Sequence, residues 1–333
     1  MIATAKGRGK ARALCLISGG LDSLLAVKVL QEQGVEVSGL SFESPFFDAH
    51  NARRGAEQLK IELKVARIGD EIMKLLRRPP HGFGKQMNPC IDCHALMVRR
   101  AGEMMAKENF DFIATGEVLG ERPMSQNRQS LDTVARDSGF EGFLLRPLSA
   151  KLLAPTKPEI MGLVDRERLL AIEGRSRKPQ IALTEKFGIR EYVQPAGGCL
   201  LTDPAFSARL RELLDHEPSA NERDAILLKL GRHFRLGSGA KAIVGRDKED
   251  NERIMAAAGE DDILVICDNT PGPAVLIVHT DAENDIKTAA LLCASFSNSS
   301  AFEVDMAIRR MGEEGRIKAK PVARNEFDGM RIG

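Results

Sequence analysis

Two short stretches of this sequence carry side chains whose types and spacing suit chemistry. The first is Ser18-Gly19-Gly20-Leu21-Asp22-Ser23, which follows directly on the apolar run Ala13 to Ile17. Such a run reads as a buried parallel strand, and a strand that enters a small polar turn and then a helix points backbone N–H groups outward as an anion site. Gly19 and Gly20 let the backbone approach an oxyanion, and Ser18 and Ser23 add hydroxyl donors. A Walker loop needs a lysine before its Ser or Thr, and none stands here. Asp22 is informative for that reason: a carboxylate beside a phosphate is repelled unless it holds a magnesium ion that bridges to the phosphate oxygens. Taken alone, the S-G-G triplet would serve equally well as a polar strand-to-helix turn with Asp22 as the helix cap.

The second stretch is Met87-Asn88-Pro89-Cys90-Ile91-Asp92-Cys93-His94, a C-x-x-C pair close to the start of a helical pattern. That spacing brings two thiols within reach of one metal, and the helix dipole favours their thiolates. Cys199 supplies a third thiol on a loop where Gly197 and Gly198 permit close approach. Cys15, Cys267 and Cys293 lie in apolar sequence and read as small buried hydrophobes. Three chemistries suit the first trio: a metal centre with one open coordination position, a closed zinc site completed by His94, or a metal-free nucleophile and persulfide pair of Cys93 and Cys199. Only the closed zinc site leaves no place for a sulfur donor.

The elements that must position these residues alternate. Strands are expected at Ala13 to Ile17, Val35 to Phe42, Leu63 to Ile68, Asp111 to Thr115 and Gly142 to Arg146. Helices are expected from Leu24 to Gln33 with Gly34 as the closing residue, from Asn51 to Lys60 and from Ala95 to Glu108, and Thr156 with Glu159 has capping-box spacing. This alternation argues a doubly wound parallel α/β sheet with ligands at the carboxyl ends of its strands. After Pro204 the texture changes to helical segments at Ala205 to Leu214 and Arg223 to Leu230, then short strands at Lys241 to Val244, Ile263 to Cys267 and Ala274 to His279. Two domains are expected, 1–204 and a smaller α+β module over 205–333.

The 333 residues are 43% hydrophobic and 29% charged, with no apolar run near the roughly 20 residues a membrane helix needs. The basic start lacks a signal peptide's apolar core, and a cytoplasmic protein with reduced thiols is expected. Net charge is only +1, so nucleic acid would be held by local patches: Lys6, Arg8, Lys10 and Arg12; Arg175, Arg177 and Lys178; Lys318, Lys320 and Arg324. With no Trp and only Tyr192, base stacking has few platforms, and recognition by shape and backbone is expected.

With the strand before it and the helix behind it, Ser18 to Ser23 resembles the PP-loop of the ATP pyrophosphatases, which are adenine nucleotide alpha hydrolase-like in fold. Members of that superfamily adenylate a carbonyl or carboxyl oxygen and release pyrophosphate. DFIATGEVLGERPMSQ at 111–126 and LLRPLSAKLLAPTKPEI at 144–160 resemble the tRNA 4-thiouridine synthetases of the ThiI type, and MNPCIDCH at 87–94 resembles the N-P-C-x-x-C-N segment of the tRNA 2-thiouridylases. The likeness runs over roughly residues 11 to 200. No THUMP-like RNA-binding module is identified before the loop and no rhodanese-like domain after it, so a route without that sulfur relay is expected. Residues 236 to 330 resemble the RNA-binding domain of the NFACT ribosome-quality-control proteins through VGRDKEDNERI, DNTPGPAVLI and TAALLCASFSNSS.

These resemblances imply an ATP-dependent tRNA sulfurtransferase. Ser18 to Ser23, with Thr115 and Gly116, would bind ATP, Asp22 would hold Mg²⁺, and Arg122 would meet developing charge. Cys90, Cys93 and Cys199 would hold a 4Fe-4S cluster whose fourth iron binds sulfide, as in cluster-dependent thiolases, with zinc or bare thiols as alternatives. Cys93 and Cys199 carry the sulfur chemistry, the donor being sulfide or a persulfide carrier, and the fused module would read the RNA. Two rival readings stay open, an amide-forming PP-loop ligase and a nucleotide-gated RNA-binding factor. The sequence leaves open which base is modified and whether the chain forms a homodimer.

Overall fold

The computed structural model describes residues 9–193, 198–278, 282–310 and 312–333. Lys6, Arg8, Gly197 and His279, which figure in the sequence reading, lie outside the described residues. The chain divides into two compact units, Met1–Thr202 and Asp203–Gly333.

In the first unit the order is β1 (Arg12–Leu16), α1 (Leu21–Gln31), β2 (Glu36–Glu43), α2 (His50–Leu59), β3 (Leu63–Arg67), α3 (Gly69–Arg77), α4 (Cys90–Glu108), β4 (Phe112–Ala114), α5 (Arg128–Ser138), β5 (Leu144–Leu145), α6 (Lys157–Ile160) and α7 (Lys178–Phe187). The strands are parallel, in the order β3-β2-β1-β4-β5. Their order reverses at β1 and β4, so the carboxyl ends of those two strands open on a crevice. Ser18 to Ser23 follows one strand and Thr115 to Glu117 the other. The central β1 is buried on both faces, with Ala13, Leu14 and Cys15 wholly inside. Cys15 behaves as the hydrophobe it was expected to be, its thiol pushed up to about 12 by burial.

The differences from expectation lie at helix starts and in helices that were not expected, α3 and α7 among them. Helix α1 begins at Leu21, three residues early, because Gly20 takes the extended N-cap conformation and the polar end of the loop is itself helical. Helix α4 begins at Cys90, behind Pro89, so both C-x-x-C thiols sit in its first turn. Gly34 has a φ of 81° in the turn after α1, whose C-cap is Glu32. Helix α6 carries the expected Thr156–Glu159 capping box. Helix α5 was not anticipated, although Asn127 caps it by accepting from Ser130 N at 2.9 Å and Gly139 ends it in the left-handed region.

The second unit contains α8 (Pro204–His216), α9 (Glu222–Leu227), β6 (Arg232–Arg235), β7 (Lys241–Val244), α10 (Lys248–Ala257), β8 (Ile263–Cys267), β9 (Ala274–Val278), α11 (Glu283–Phe296), β10 (Val304–Arg310), β11 (Glu313–Ala319) and β12 (Arg331–Ile332). They form an antiparallel sheet in the order β11-β10-β8-β9-β7-β6-β12. One face buries Phe234, Val244, Val265 and Val275 with Leu292 and Cys293 of α11. The other packs Ile243, Leu264 and Leu276 with Ile254 of α10 and Leu227 of α9. Strand β11 eluded the sequence reading because it is an exposed edge strand built largely of charged residues, a common guard against unwanted pairing. Among the described residues no helix is long and apolar enough to cross a membrane.

Candidate active site

Gly20 caps α1 with φ −75° and ψ 154°, and no side-chain cap covers the first-turn amides. A Cβ added there would meet only Ser18 Oγ at 3.4 Å, so the loop is open on that side. Gly19 is needed for another reason. Its φ is +79°, and the space of its missing Cβ is filled by Asn51 of α2. Thus Gly20 leaves room for a ligand, while Gly19 lets α2 close on the loop. Ser18 is exposed and its Oγ accepts from Gly20 N at 3.3 Å. The Ser23 hydroxyl, expected to face a ligand, donates instead to Gly20 O at 2.7 Å and fixes the turn. Leu21 is wholly buried, so what it can offer a ligand is backbone, and Asp22 sits in the first turn of α1.

The second wall is Thr115-Gly116-Glu117, after β4. A Cβ on Gly116 would lie 2.5 Å from Asp22 C and Ser23 N, so the tripeptide's backbone rests directly on the loop. Thr115 Oγ1 donates to Glu117 Oε2 at 3.1 Å. Arg146 Nε donates to the same oxygen at 2.9 Å, and His94 Nδ1 lies 3.0 Å from Glu117 Oε1. Burial alone would raise the Glu117 carboxyl, but the Arg146 guanidinium and the bond to His94 hold it well below the usual carboxylate range. His94 directly follows Cys93, so one buried carboxylate ties the phosphate loop's neighbour to the C-x-x-C helix.

At the mouth of the loop, Arg177 lies between two carboxylates, 3.7 Å from Asp22 Oδ2 and 3.8 Å from Glu121 Oε1. Burial raises the Asp22 carboxyl, and Arg177, Gln180 and Arg122 oppose that rise. Glu121 is raised by burial and by Asp22, against Arg177 and Arg122. Arg122 is exposed and acts on both carboxylates at a distance. Gln180 is fully buried and close enough to Asp22 to favour its charged form, yet neither amide atom makes a hydrogen bond of good geometry. Asp22 Oδ1 and Arg177 Nε are likewise buried without a hydrogen-bond partner.

The three thiols lie within one another's electrostatic reach. Burial pushes Cys93 far above the ordinary thiol range, and Cys199, Cys90 and Asp92 add to the rise. Cys199 is raised to about 11, first by burial, with a backbone hydrogen bond from Leu201 lowering it and Cys90 raising it. The helix start therefore does not give Cys93 the favoured thiolate expected from its position, because desolvation outweighs the dipole. Asn88 Nδ2 donates to Cys90 Sγ at 3.2 Å. Among the described residues, no three His, Cys, Asp or Glu side chains are gathered as a ready metal cage. A trio of thiols that oppose one another's ionisation is nonetheless a donor set that a soft cationic centre would relieve. The chain on either side of residues 194–197 is tied to the crevice: Val193 N donates to Gly19 O at 3.2 Å, and Leu200 N to Phe46 O at 3.0 Å.

In the second unit, the basic residues of the VGRDKEDNERI segment, Arg246, Lys248 and Arg253, are each paired with an acid one turn away on α10 or at its start. Sequence reasoning missed a different group. Arg232 is lowered by burial and then by Arg324, Arg331 and Arg246, which places four guanidiniums together, and Arg209 is lowered by burial and by Arg246. Arg232 and Arg324 both lie over the Phe296 ring, at 5.3 Å and 5.0 Å. Of the expected cluster Lys318, Lys320 and Arg324, only Arg324 joins this group, while Lys318 pairs with Asp305 at 3.1 Å. In the first unit, Glu121, Gln180 and Arg146 were also missed as site residues. Glu121 stands next to Arg122 in a quoted motif, whereas Arg177 and Gln180 share only an i, i+3 spacing.

Residues 8–163 match the sequence model of the family described as thiamine biosynthesis protein (ThiI), and residues 231–330 match that of the NFACT protein RNA binding domain. The tRNA-specific 2-thiouridylase MnmA of Geotalea uraniireducens is 28% identical over 188 residues, 49% of this chain and 49% of that protein. Its counterpart in Geobacter metallireducens is 27% identical over 212 residues, 51% and 55% of the two chains. The chain thus spans about half the length of these curated relatives. Among solved structures, a 4-thiouridine synthetase in complex with RNA and bound ATP aligns over 66% of this chain and 52% of that one, at 17% identity and a TM-score of 0.40. This chain therefore joins a PP-loop domain of the ThiI type to a domain of the NFACT RNA-binding type.

Proposed function

We propose that this protein uses ATP to activate an oxygen on a tRNA base and replaces that oxygen with sulfur. The observation that carries the reading is the junction at Thr115-Gly116-Glu117, whose backbone rests on the phosphate loop while its carboxylate holds the residue after Cys93. An ATP-activating loop and a thiol cluster are thereby coupled through three consecutive residues.

The uncapped amides of the first turn of α1, with Ser18, would receive the phosphates of ATP. Asp22 is the residue that would hold Mg²⁺, which when bound neutralises phosphate charge. A uridine oxygen bonds to the α-phosphorus as the bond to the β-phosphate oxygen breaks, and pyrophosphate leaves. Arg122 and the loop amides meet the charge that develops. A sulfur nucleophile then adds to the activated carbon, its C–O bond breaks, and AMP leaves with the original oxygen. Cys90, Cys93 and Cys199 would hold a 4Fe-4S cluster, which when bound supplies a site for inorganic sulfide. Burial of Cys93, with Cys199 half-buried, limits the access of water that would compete with the sulfur donor. The NFACT-type domain, with its arginines at 232, 246, 324 and 331, would supply backbone contacts to the RNA, and a base that reacts inside the crevice has to be flipped out of its stack.

The test is incubation of the full chain with ATP, Mg²⁺, sulfide and unmodified tRNA, with nucleosides analysed by mass spectrometry. One thiolated nucleoside per AMP and pyrophosphate is expected. AMP and pyrophosphate formed with a carboxylate and an amine, with no sulfur entering RNA, would show a ligase instead.

A further inference from the structure

We propose that Asp22 and Glu121 form a two-carboxylate site for a divalent cation, and that Arg177 is its built-in stand-in, neutralising the pair until cation and phosphates arrive. The inference rests on the reading of Ser18 to Ser23 as an ATP loop and adds the second carboxylate and the exchange with Arg177.

Three observations carry it. One guanidinium faces both carboxylates, at 3.7 Å from Asp22 and 3.8 Å from Glu121, too far for a hydrogen bond to either. A guanidinium that locks a carboxylate comes within hydrogen-bond distance of it, as Arg146 Nε does with Glu117 Oε2 at 2.9 Å. Around it, Asp22 Oδ1, Arg177 Nε and both amide atoms of Gln180 are buried without a hydrogen bond of good geometry, and Gln180 is fully inaccessible. Each buried orphan polar group costs stability, so four such atoms in one cluster call for an explanation: a cation meets the two acceptors, Asp22 Oδ1 and the Gln180 oxygen, and the phosphate oxygens it brings meet the two N–H donors. Two carboxylate oxygens and an amide oxygen are the hard donors a Mg²⁺ or Mn²⁺ ion takes, with water and phosphate oxygens completing the shell.

The exchange follows from charge. With the cation absent, two neighbouring carboxylates repel each other and Arg177 offsets that repulsion. When the cation arrives with ATP, the carboxylates turn to the metal, and Arg177 is released toward the phosphates, for which its planar fork is suited. Glu121 thus belongs to the metal site, and Arg177 alternates between carboxylate and phosphate.

The test uses the full chain, with Mn²⁺ binding followed by electron paramagnetic resonance in the presence of a non-hydrolysable ATP analogue, and nucleotide binding followed separately in EDTA. Glu121→Gln is expected to weaken Mn²⁺ binding by at least about tenfold, since ligand charge sets divalent affinity. Nucleotide affinity in EDTA should hold or rise. Arg177→Gln is expected to tighten binding of Mn²⁺ alone and weaken metal-free nucleotide binding. Thermal melts check that both variants fold, and Glu121→Gln alone suffices should Arg177→Gln not. Nucleotide binding intact with Mn²⁺ affinity unchanged in Glu121→Gln overturns the two-carboxylate site alone. A wild-type chain that binds no ATP overturns the phosphate-loop reading and this inference with it.

Discussion

The phosphate crevice of the first unit and the arginine group of the second both suit anions, but they are built in opposite ways. In the crevice the anion-facing groups are backbone amides at a helix start, beside two carboxylates and a guanidinium that bonds to neither. In the second unit they are side chains, drawn to one place from β6, the start of α10, the segment after β11 and β12. Amides at a helix start, with a carboxylate that would hold a cation, suit one defined polyphosphate. A set of like-charged arginines suits a repeating backbone whose register is not fixed by any single contact. Under the proposed function, geometry serves the place where chemistry would occur and charge the place where a large polyanion would be held.

That contrast can be broken at the crevice first. Gly116→Val puts a side chain where backbone atoms of Asp22 and Ser23 lie 2.5 Å from the first added carbon, so the loop must shift. A loss of ATP affinity of at least about 100-fold is expected by equilibrium dialysis, since small misplacements of a positioning element have effects of that size. RNA binding by the same variant should be unchanged in a filter assay. Equal loss of both would mean that the two regions are not separate anion sites.

The buried Glu117 gives a stability test. Glu117→Gln leaves the Arg146 guanidinium without its carboxylate in a site where both side chains are under a tenth exposed, and a loss of about 3–5 kcal/mol is expected from urea unfolding. The pH dependence follows from the lowered carboxyl. With the folded value below the unfolded one, the wild-type contribution is complete above the ordinary carboxylate range and is lost as pH falls through and beneath it. The Gln variant should be flatter with acidification, and an identical acid profile would remove the ion pair from the account of this junction.

The smallest expected effects belong to the arginines. Arg232→Gln and Arg324→Gln should each weaken tRNA binding several-fold and reduce the slope of log affinity against log salt by about one for each phosphate no longer neutralised. Lys248→Gln, on a cation already paired with Glu252 at 3.8 Å, should change little. If the Lys248 variant has the larger effect, the RNA surface lies on α10 and not at the arginine group.

The same contrast explains what could be read from the sequence. The parallel sheet was legible because each central strand is a short apolar run ended by a polar turn, and Ser18 to Ser23 was legible because backbone-built sites use contiguous residues. The crevice could also be placed, since strand order dictates where β1 and β4 open. Arg177, Gln180 and Glu121 were not legible as one cluster: 121 and 177 meet only because α7 returns to the loop, and no local pattern encodes that return. The arginine group was hidden for the same reason, whereas the charge run on α10 is plain in the sequence although its Lys248 and Arg253 are paired with local acids. The raised Cys93 was missed because helix position is visible in sequence and burial is not.

The coupling of an ATP loop to a thiol centre is tested most directly by separating the two half-reactions in variants of the full chain. With tRNA, Mg²⁺, sulfide and labelled ATP, Cys93→Ala is expected to keep tRNA-dependent exchange of pyrophosphate into ATP while forming no thiolated nucleoside, and Asp22→Asn to lose both. Full thiolation by Cys93→Ala, or exchange untouched in Asp22→Asn, would contradict it.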